Sequence, residues 1–253
     1  MNDEFYIGYL PKAPVGLARL VRRTVAALGI GAIALAAMLV LAQRPFAASV
    51  FEFGNKRTFE GTIQLRPYPT LLVARPGDRK QNASFSRYLL VAPGKHGADQ
   101  LVARFEGQHV KLEGQLIYHD VNTMIEIVPG LISRVENAKH AMMAVADLGE
   151  ATLTGEIIDT KCFFGVMNPG SGKVHRECAA RCISGGVPPG FLVRDSGTEK
   201  VYLLTDSSGQ PLDRGIMRVA AEPLTIQGRV LKIGDTLILA PSTNDLHSHT
   251  RGQ

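Results

Sequence analysis

The stretch LTGEIID at Leu153–Asp159 decides the expected fold of this chain, because a similar stretch, FEGTIQL, occurs at Phe59–Leu65. Both stretches are typical of a strand with a glycine near its middle, in the pattern x-x-G-x-I. Such a glycine weakens a flat strand, but it permits the sharp bend that a small closed barrel requires. The recurrence therefore predicts two similar β units beyond residue 50.

Each unit also ends with a similar pair of strands. These pairs are VKLEGQLIYHD (Val110–Asp120) with MIEIV (Met124–Val128), and LTIQGRVLKIGD (Leu224–Asp235) with TLILA (Thr236–Ala240). Between the opening and closing strands, short apolar runs are separated by Gly, Pro, Asp and Asn, which indicates further strands. These predicted middle strands are TLLVAR (Thr70–Arg75), FSRYLLV (Phe85–Val91), PGFLVRD (Pro189–Asp195) and KVYLLTD (Lys200–Asp206).

This succession of strands resembles the OB-fold, a five-stranded Greek-key barrel. We therefore predict a mostly β protein with two tandem OB-like barrels, at residues 51–129 and 151–240. Residues 130–150 are predicted to form a connecting helix, and residues 241–253 a disordered tail. The alternative is that both halves form one continuous β-sandwich.

An apolar segment precedes the two units. Thr24–Ala42 has no charged residue over 19 positions, and a helix of that length spans roughly 28 Å, about the hydrocarbon thickness of a bilayer. Arg22 and Arg23 directly precede this segment, whereas Arg44 is the only nearby cation after it. The positive-inside rule then predicts a single-pass anchor in the lipid bilayer, with residues 1–23 in the cytoplasm and the bulk outside. A cleaved signal peptide is the alternative.

The N-terminal segment and the overall charge bear on partners. Phe5, Tyr6 and Tyr9 lie close together, which fits either a tail at the membrane surface or a docking strip for a membrane protein partner. The formal charge is +5 over 253 residues, and the Lys and Arg residues are scattered. Together with the expected position outside the cytoplasm, this scatter predicts no nucleic-acid partner.

All three cysteines lie in the segment KCFFGVMNPGSGKVHRECAARCISGGVPPG, residues 161–190. The first unit has only the short turn RPYP at the corresponding place, so this segment is an insertion between the first two strands of the second barrel. In OB-folds, that loop is one of the two usual ligand-binding loops. Long loops in compact domains are usually functional, which focuses the search for a site here.

The spacing of the thiols predicts a metal site. It is C-x15-C-x3-C, and His175 lies three residues before Cys178. If residues 175–183 are helical, then His175, Cys178 and Cys182 fall within an arc of roughly 60° on one helix face. Cys162 can then close over that face. Thiolate and imidazole ligands suit Zn²⁺, Cu(I) or an iron–sulfur centre.

Three other interpretations of the cysteines stay open. The expected extracytoplasmic location permits one disulfide and one free thiol. Alternatively, Lys173, Arg176 and Arg181 could stabilise a reactive thiolate in a thiol–disulfide redox protein. The cluster could also be structural only, in a protein whose barrels bind other partners.

The same segment resembles a motif of uncharacterised bacterial exported and membrane-anchored proteins. That motif reads approximately G-E-[IV]-[IV]-D-x-x-C, a Gly-rich stretch, H-x-x-C-A-x-x-C and G-x-P-x-G. The matching positions are Gly155, Glu156, Asp159, Cys162, His175, Cys178, Ala179, Cys182, Gly186, Pro188 and Gly190. The resemblance implies a bacterial envelope protein, and hence the inner membrane and periplasm, but it implies no activity.

These observations lead to one functional expectation. The chain is expected to be a membrane-anchored periplasmic accessory protein that binds a metal or metal cofactor through Cys162, His175, Cys178 and Cys182. We expect it to be a subunit of a membrane redox complex. The sequence contains no Ser-His-Asp signature, dinucleotide-binding loop or H-E-x-x-H motif. Nothing in it therefore points to an enzyme.

Overall fold

The computed structural model describes residues 13–42, 49–75, 85–136 and 144–242. The chain divides into two compact units, Met1–Ala47 and Ala48–Gln253. The aromatic N-terminal residues 1–12 and the predicted tail from residue 243 onward lie outside the described residues.

Helix α1, Val15–Ala42, is the only long helix in the described part of the chain. It contains the whole predicted segment Thr24–Ala42, and its most apolar window has a mean hydropathy of 2.6. None of its residues is buried. At 28 residues it is about 42 Å long. By length and composition the helix could cross a membrane, and a signal sequence would meet the same criteria.

The second unit is built mainly from strands. Seven strands form the first sheet: β1 Ser49–Phe51, β2 Arg57–Gln64, β3 Thr70–Ala74, β4 Phe85–Ala92, β5 His96–Gly97, β6 His109–His119 and β7 Asn122–Arg134. Five strands form the second sheet: β8 Val145–Asp159, β9 Pro189–Asp195, β10 Thr198–Leu204, β11 Pro223–Ile233 and β12 Thr236–Pro241. Two short helices accompany them, α2 Asp99–Val102 and α3 Arg176–Ser184.

The second sheet is a closed five-stranded barrel with the order β10-β12-β11-β8-β9. Its only parallel pair is β10 with β12, and all other pairs are antiparallel. The barrel encloses its own apolar core, which includes Ile157, Phe191 and Leu239. The prediction of a barrel in this half is confirmed.

The first sheet repeats this pattern of pairing. Strand β2 pairs with β3 and β6, β4 pairs with β3 and β7, and β6 pairs with β7. Here too the only parallel pair is formed by the third and last strands of the series, β4 and β7. Strands β1 and β5 are additions that pair with β6 and β4. The apolar core of this half includes Ile63, Leu90 and Ile125.

The glycines of the two opening strands are required by close backbone approach. A Cβ atom on Gly61 would lie 2.3 Å from the carbonyl oxygen of Leu72, and one on Gly155 would lie 2.2 Å from that of Leu192. No side chain fits at such a distance, so each glycine lets the first strand cross closely over the second. The shared sequence pattern therefore has the same steric cause in both halves.

The predicted connecting helix at residues 130–150 is wrong wherever the structure describes it. Strand β7 continues to Arg134 and β8 begins at Val145, while residues 137–143 lie outside the described residues. Ile132 and Arg134 pair with the start of β6, and the first residues of β8 pair with the end of β11. Ladder hydrogen bonds to these partner strands outweigh the weak local preference for helix.

A third apolar cluster lies between the two sheets. The first sheet contributes Leu89, Val91, Ile117 and Met124, whereas the second contributes residues from the barrel and from the cysteine segment. Cys162, Phe163, Phe164 and Cys182 all belong to this cluster. The cysteine segment is therefore part of the core that joins the two halves of the second unit.

Candidate metal centre

The insertion predicted between the first two strands of the barrel is present as residues 160–188, between β8 and β9. It opens with a helical turn at Cys162–Val166, continues through a glycine-rich loop, and ends in α3. The helix assumed over residues 175–183 is present as α3, Arg176–Ser184, and a tighter 3₁₀ turn at Lys173–His175 precedes it. The buried face of α3 carries Ala179, Cys182 and Ile183.

The three sulfur atoms converge on one point. The Sγ of Cys162 lies 3.9 Å from that of Cys178 and 3.8 Å from that of Cys182. All three sulfurs lie within 4.8 Å of one another. A disulfide needs a sulfur–sulfur distance of about 2.05 Å, and all three thiols are free. The disulfide of the alternative interpretation is therefore not formed in this structure.

His175 belongs to a second group of residues that also contains Cys162. Its Nε2 atom is 3.0 Å from Oδ2 of Asp159, and these two residues form a second group with Cys162 in which the ligand atoms lie within 4.8 Å. The structure thus brings the four predicted ligands together as two groups that share Cys162. Asp159, which the sequence indicated only as a position of the motif and not as a ligand, is the fifth member of this site.

Asp159 holds the site in place from the end of β8. Its side chain is fully buried, and Oδ1 accepts a 2.8 Å hydrogen bond from the backbone N–H of Cys162 while Oδ2 faces His175. The carboxylate therefore fixes the first turn of the insertion and the orientation of the imidazole at the same time. The D-x-x-C spacing is the sequence feature that indicates this role, since an Asp side chain readily accepts a hydrogen bond from a nearby backbone N–H.

Lys95, in the turn between β4 and β5, brings a positive charge to the sulfurs. Its Nζ atom lies 2.7 Å from the Sγ of Cys178. The hydrogen bond to Cys178 raises the pKa of Lys95, and the negative charge of the neighbouring sulfurs adds to this shift. No sequence pattern near Lys95 pointed to this role, because the contact joins residues 83 positions apart.

The pKa values of the two buried thiols, Cys162 and Cys182, shift in opposite directions. The hydrogen bond between Cys162 and Cys182 is the main cause that raises the pKa of Cys162 and lowers the pKa of Cys182. Burial raises both pKa values, and the charge of Lys95 lowers that of Cys182. The arrangement therefore favours one thiolate, at Cys182, that accepts a hydrogen bond from the thiol of Cys162.

A buried lysine ties the insertion to the first sheet. Lys161 is 2% exposed, and its Nζ donates to the carbonyl oxygens of Ala92 and Gly94 and pairs with Glu126 at 2.5 Å. These three acceptors satisfy the ammonium group, so its burial beside Cys162 is compensated. Lys161 therefore anchors the start of the cysteine segment on β4 and β7.

The end of α3 packs directly on the same turn of the first sheet. The N–H of Gly97 donates to the carbonyl oxygen of Gly185 at 3.0 Å, and a Cβ atom on Gly185 would lie 1.8 Å from the carbonyl oxygen of Lys95. Only glycine permits this approach. The close packing brings the turn that carries Lys95 against the helix that carries Cys178.

The glycine-rich loop is held by charged residues of the barrel. Oε2 of Glu156 accepts a 2.8 Å hydrogen bond from the N–H of Gly172, while Oε1 pairs with Arg194 at 2.6 Å. Arg194 also donates to the hydroxyl of Ser171 at 2.8 Å. These bonds fix the loop that leads into His175.

These contacts define the geometry of the site. Compared with known proteins, the sequence matches no protein-family model and no curated protein. The sulfur cluster and its neighbours are therefore the basis for the functional proposal.

Proposed function

We propose that the protein binds a single thiophilic metal ion at Cys162, Cys178 and Cys182. The sulfur spacing carries this proposal. With metal–sulfur bonds of about 2.3 Å, tetrahedral geometry sets neighbouring sulfurs about 3.8 Å apart, and trigonal geometry about 4.0 Å. The two distances from Cys162, 3.8 and 3.9 Å, match these values, and the sulfurs of Cys178 and Cys182 lie within 4.8 Å of each other. The thiols need little movement to accept an ion.

The ligand chemistry restricts the ion. Thiolate sulfur selects Zn²⁺, Cu(I) or iron–sulfur clusters among the metals that proteins use. Sulfurs that converge on one point favour a single ion, because the cysteines around a four-iron cluster bind separate iron atoms. The proposed ion is therefore Zn²⁺ or Cu(I).

His175 is proposed as the fourth ligand. Its Nε2 faces the carboxylate of Asp159, which makes Nδ1 the ring atom for the ion. A carboxylate on one nitrogen and a metal on the other is the usual arrangement for a ligating histidine, because the carboxylate fixes the tautomer and the ring orientation. Four protein ligands leave no open position, which favours a structural or metal-handling role over catalysis.

The cellular context is the wider part of the proposal. We place the protein at a bacterial inner membrane, anchored by α1, with its strands in the periplasm and both halves folded as OB-like barrels. Three observations support this view: the apolar segment Thr24–Ala42 of α1, the arginines Arg22 and Arg23 directly before that segment, and the matching strand pairings of the two halves. A tethered metal site without a catalytic constellation fits an accessory subunit of a membrane redox complex.

Metal analysis tests the central proposal. The full chain should be purified anaerobically in mild detergent, without affinity resins that carry metal, and analysed by mass spectrometry of the elements. We expect about one Zn or Cu per chain, and less than about 0.1 in Cys182→Ser. Glu177→Gln, an exposed change on the same helix, is the matched control and should keep its metal. Wild-type protein without bound metal, even after incubation with Zn²⁺ and Cu(I), would refute the proposal.

A thiol–disulfide function is the second candidate, because Cys162 and Cys182 are close enough to pair after a modest movement. In that reaction two thiols become a disulfide while the disulfide of a partner protein becomes two thiols. Mass spectrometry after incubation with a small disulfide distinguishes the two functions. A single intramolecular Cys162–Cys182 disulfide that forms equally fast with and without Zn²⁺ would favour exchange, whereas protection by Zn²⁺ favours the metal site.

A further inference from the structure

A cavity lies between the two halves, away from the sulfur cluster. Its volume is about 230 Å³, which is room for on the order of ten water molecules or one small organic ligand. The first sheet contributes the ends of β3 and β4 and the turn between β6 and β7, while the barrel contributes β10 and the start of β12. Three apolar side chains form one wall, Phe164 of the cysteine segment with Val201 and Leu203 of β10, and Asp235 and Thr236 lie beside them.

Arg87 of β4 lines this cavity. Residues alternate along a strand, so Arg87 lies on the same face as Leu89 and Val91, which belong to the cluster between the sheets. Its side chain is 8% exposed. Within the described residues, its Nε, Nη1 and Nη2 atoms are buried and have no hydrogen-bond partner.

A buried guanidinium without partners is costly. Burial alone lowers the pKa of Arg87 to about 10, so the side chain stays charged at neutral pH. Buried charges in proteins are normally paired with an opposite charge, and buried donors are normally hydrogen-bonded. An arginine that meets neither condition among the described residues, and that borders a cavity, is suited to hold an anionic ligand there.

The neighbouring charges limit the charge of that partner. Arg75 is paired with Asp235 at 2.8 Å and also donates to Ser86. Asp120 is the other acidic residue at the cavity, and it lies near His119 on the exposed side. Arg87 is therefore the one cation of the described lining that no acid pairs. A second negative charge on the ligand would meet no unpaired cation and would face two carboxylates.

We propose that this cavity binds a small organic carboxylate, with the carboxylate on Arg87 and an apolar group against Phe164, Val201 and Leu203. The planar fork of guanidinium donors matches a carboxylate in two parallel hydrogen bonds. The apolar wall would give no advantage to an inorganic anion, since burial of apolar surface requires an apolar group on the ligand. This site does not depend on the proposed metal function.

The test uses 4-fluorobenzoate as a probe and ¹⁹F NMR as the readout. The full chain in detergent micelles is titrated, and a micelle-only sample is subtracted to remove partition into detergent. We expect saturable binding of 4-fluorobenzoate and at least about tenfold weaker binding of the neutral 4-fluorobenzamide, because the amide loses the charged hydrogen bonds. Inorganic phosphate should not displace the probe.

Two variants locate the probe. Arg87→Met should abolish binding while it keeps or raises the melting temperature, because removal of an unpaired buried charge relieves its desolvation. Arg134→Gln, an exposed change on β7, is the matched control and should bind as the wild type does. If Arg87→Met does not fold, magnetisation transfer from the probe to the methyl groups of Val201 and Leu203 in the wild type decides the question.

Several outcomes would overturn the proposal. These are no saturable binding up to about 10 mM, where a ligand with a Kd of about 1 mM would be mostly bound, equal binding of acid and amide, displacement by phosphate, or unchanged binding in Arg87→Met. Absence of transfer to the Val201 and Leu203 methyl groups would also overturn it.

Discussion

The Nζ atom of Lys95 lies 2.7 Å from the Sγ atom of Cys178, so the two halves of the second unit meet at the sulfur cluster. The turn before β5 supplies the ammonium group, and α3 supplies the sulfur. A thiolate at this position gains a charge-assisted hydrogen bond. The cluster is therefore completed by a residue that the insertion itself does not contain.

Lys95→Gln should lower the metal affinity of the site about tenfold, the lower end of the range for lost outer-shell contacts. The reason is the loss of a positive charge beside three thiolates. Competition with a chelator for Zn²⁺ measures the change. Lys200→Gln, at an exposed position on β10, should leave the affinity within about twofold of the wild type. Equal affinities in both variants would show that Lys95 does not support the ligands.

Asp159→Ala should have two separate effects. Loss of the carboxylate leaves the N–H of Cys162 without its acceptor, which should destabilise the metal-free protein by about 1–3 kcal/mol. It also frees His175, which should weaken metal binding about 10–100-fold. Chemical denaturation and chelator competition measure the two effects independently. Asp195→Ala, at the exposed end of β9, is the control, and a similar loss there would contradict the assigned role.

Tyr68→Phe should loosen the attachment between the first sheet and the barrel. The Tyr68 hydroxyl donates to the carbonyl oxygen of Leu204 at 2.5 Å and accepts from the N–H of Leu212 at 3.2 Å. Its removal leaves both backbone groups without this partner, at a cost of about 1–3 kcal/mol. Tyr118→Phe, at a half-buried position on β6, should cost less than about 0.5 kcal/mol. Urea denaturation of both variants provides the comparison.

Because Tyr68 is buried, we expect the stability of the protein to depend on pH. Burial raises the pKa of Tyr68 above its ordinary value, so the unfolded chain loses this proton near pH 10 while the folded protein keeps it. The folded state then binds more protons, and the free energy of unfolding falls as pH rises above about 10. The free energy of unfolding of Tyr68→Phe should fall less steeply with pH than that of the wild type over that range. Parallel curves for the two proteins would exclude the buried phenol as the cause.

Gly185→Ala should separate the turn that carries Lys95 from α3. The added methyl group would overlap the Lys95 carbonyl oxygen, and overpacking of this kind costs about 1–3 kcal/mol. Thermal unfolding should show the loss, and metal affinity should fall with it, because Lys95 moves away from Cys178. Ser184→Ala, one residue earlier at a half-buried position, should preserve both. A fully stable Gly185→Ala variant would mean that the turn can shift freely.

The sequence was informative wherever a local pattern has a single physical cause. The mid-strand glycines Gly61 and Gly155 indicated bends, and both lie where a second strand passes too close for a side chain. The three cysteines and His175 indicated a site within one insertion, and the structure gathers all four there. The helix that the sequence analysis assumed over the last two cysteines is present as α3.

Features that depend on distant partners were missed. Lys95 and Lys161 act through contacts 83 and 69 residues away, and no local spacing encodes such contacts. The segment at residues 130–150 was misassigned because its strands are defined by pairing with β6 and β11. Arg87 looked like an ordinary strand residue, since only the packing of the two sheets reveals that its charge is buried.

The contact between Lys95 and Cys178 also determines when the site can form during folding, because it joins residues from both halves of the second unit. During synthesis, the thiol of Cys162 emerges before those of Cys178 and Cys182, and none of them gains the protection of the core between the sheets until both sheets are in place. Long-range contacts of this kind form late, because a long loop must close first. The newly made chain therefore passes through an interval in which its thiols are open to oxidation and its metal ligands are scattered. Rapid folding, or a reductant present during that interval, keeps the thiols reduced before a metal ion can bind.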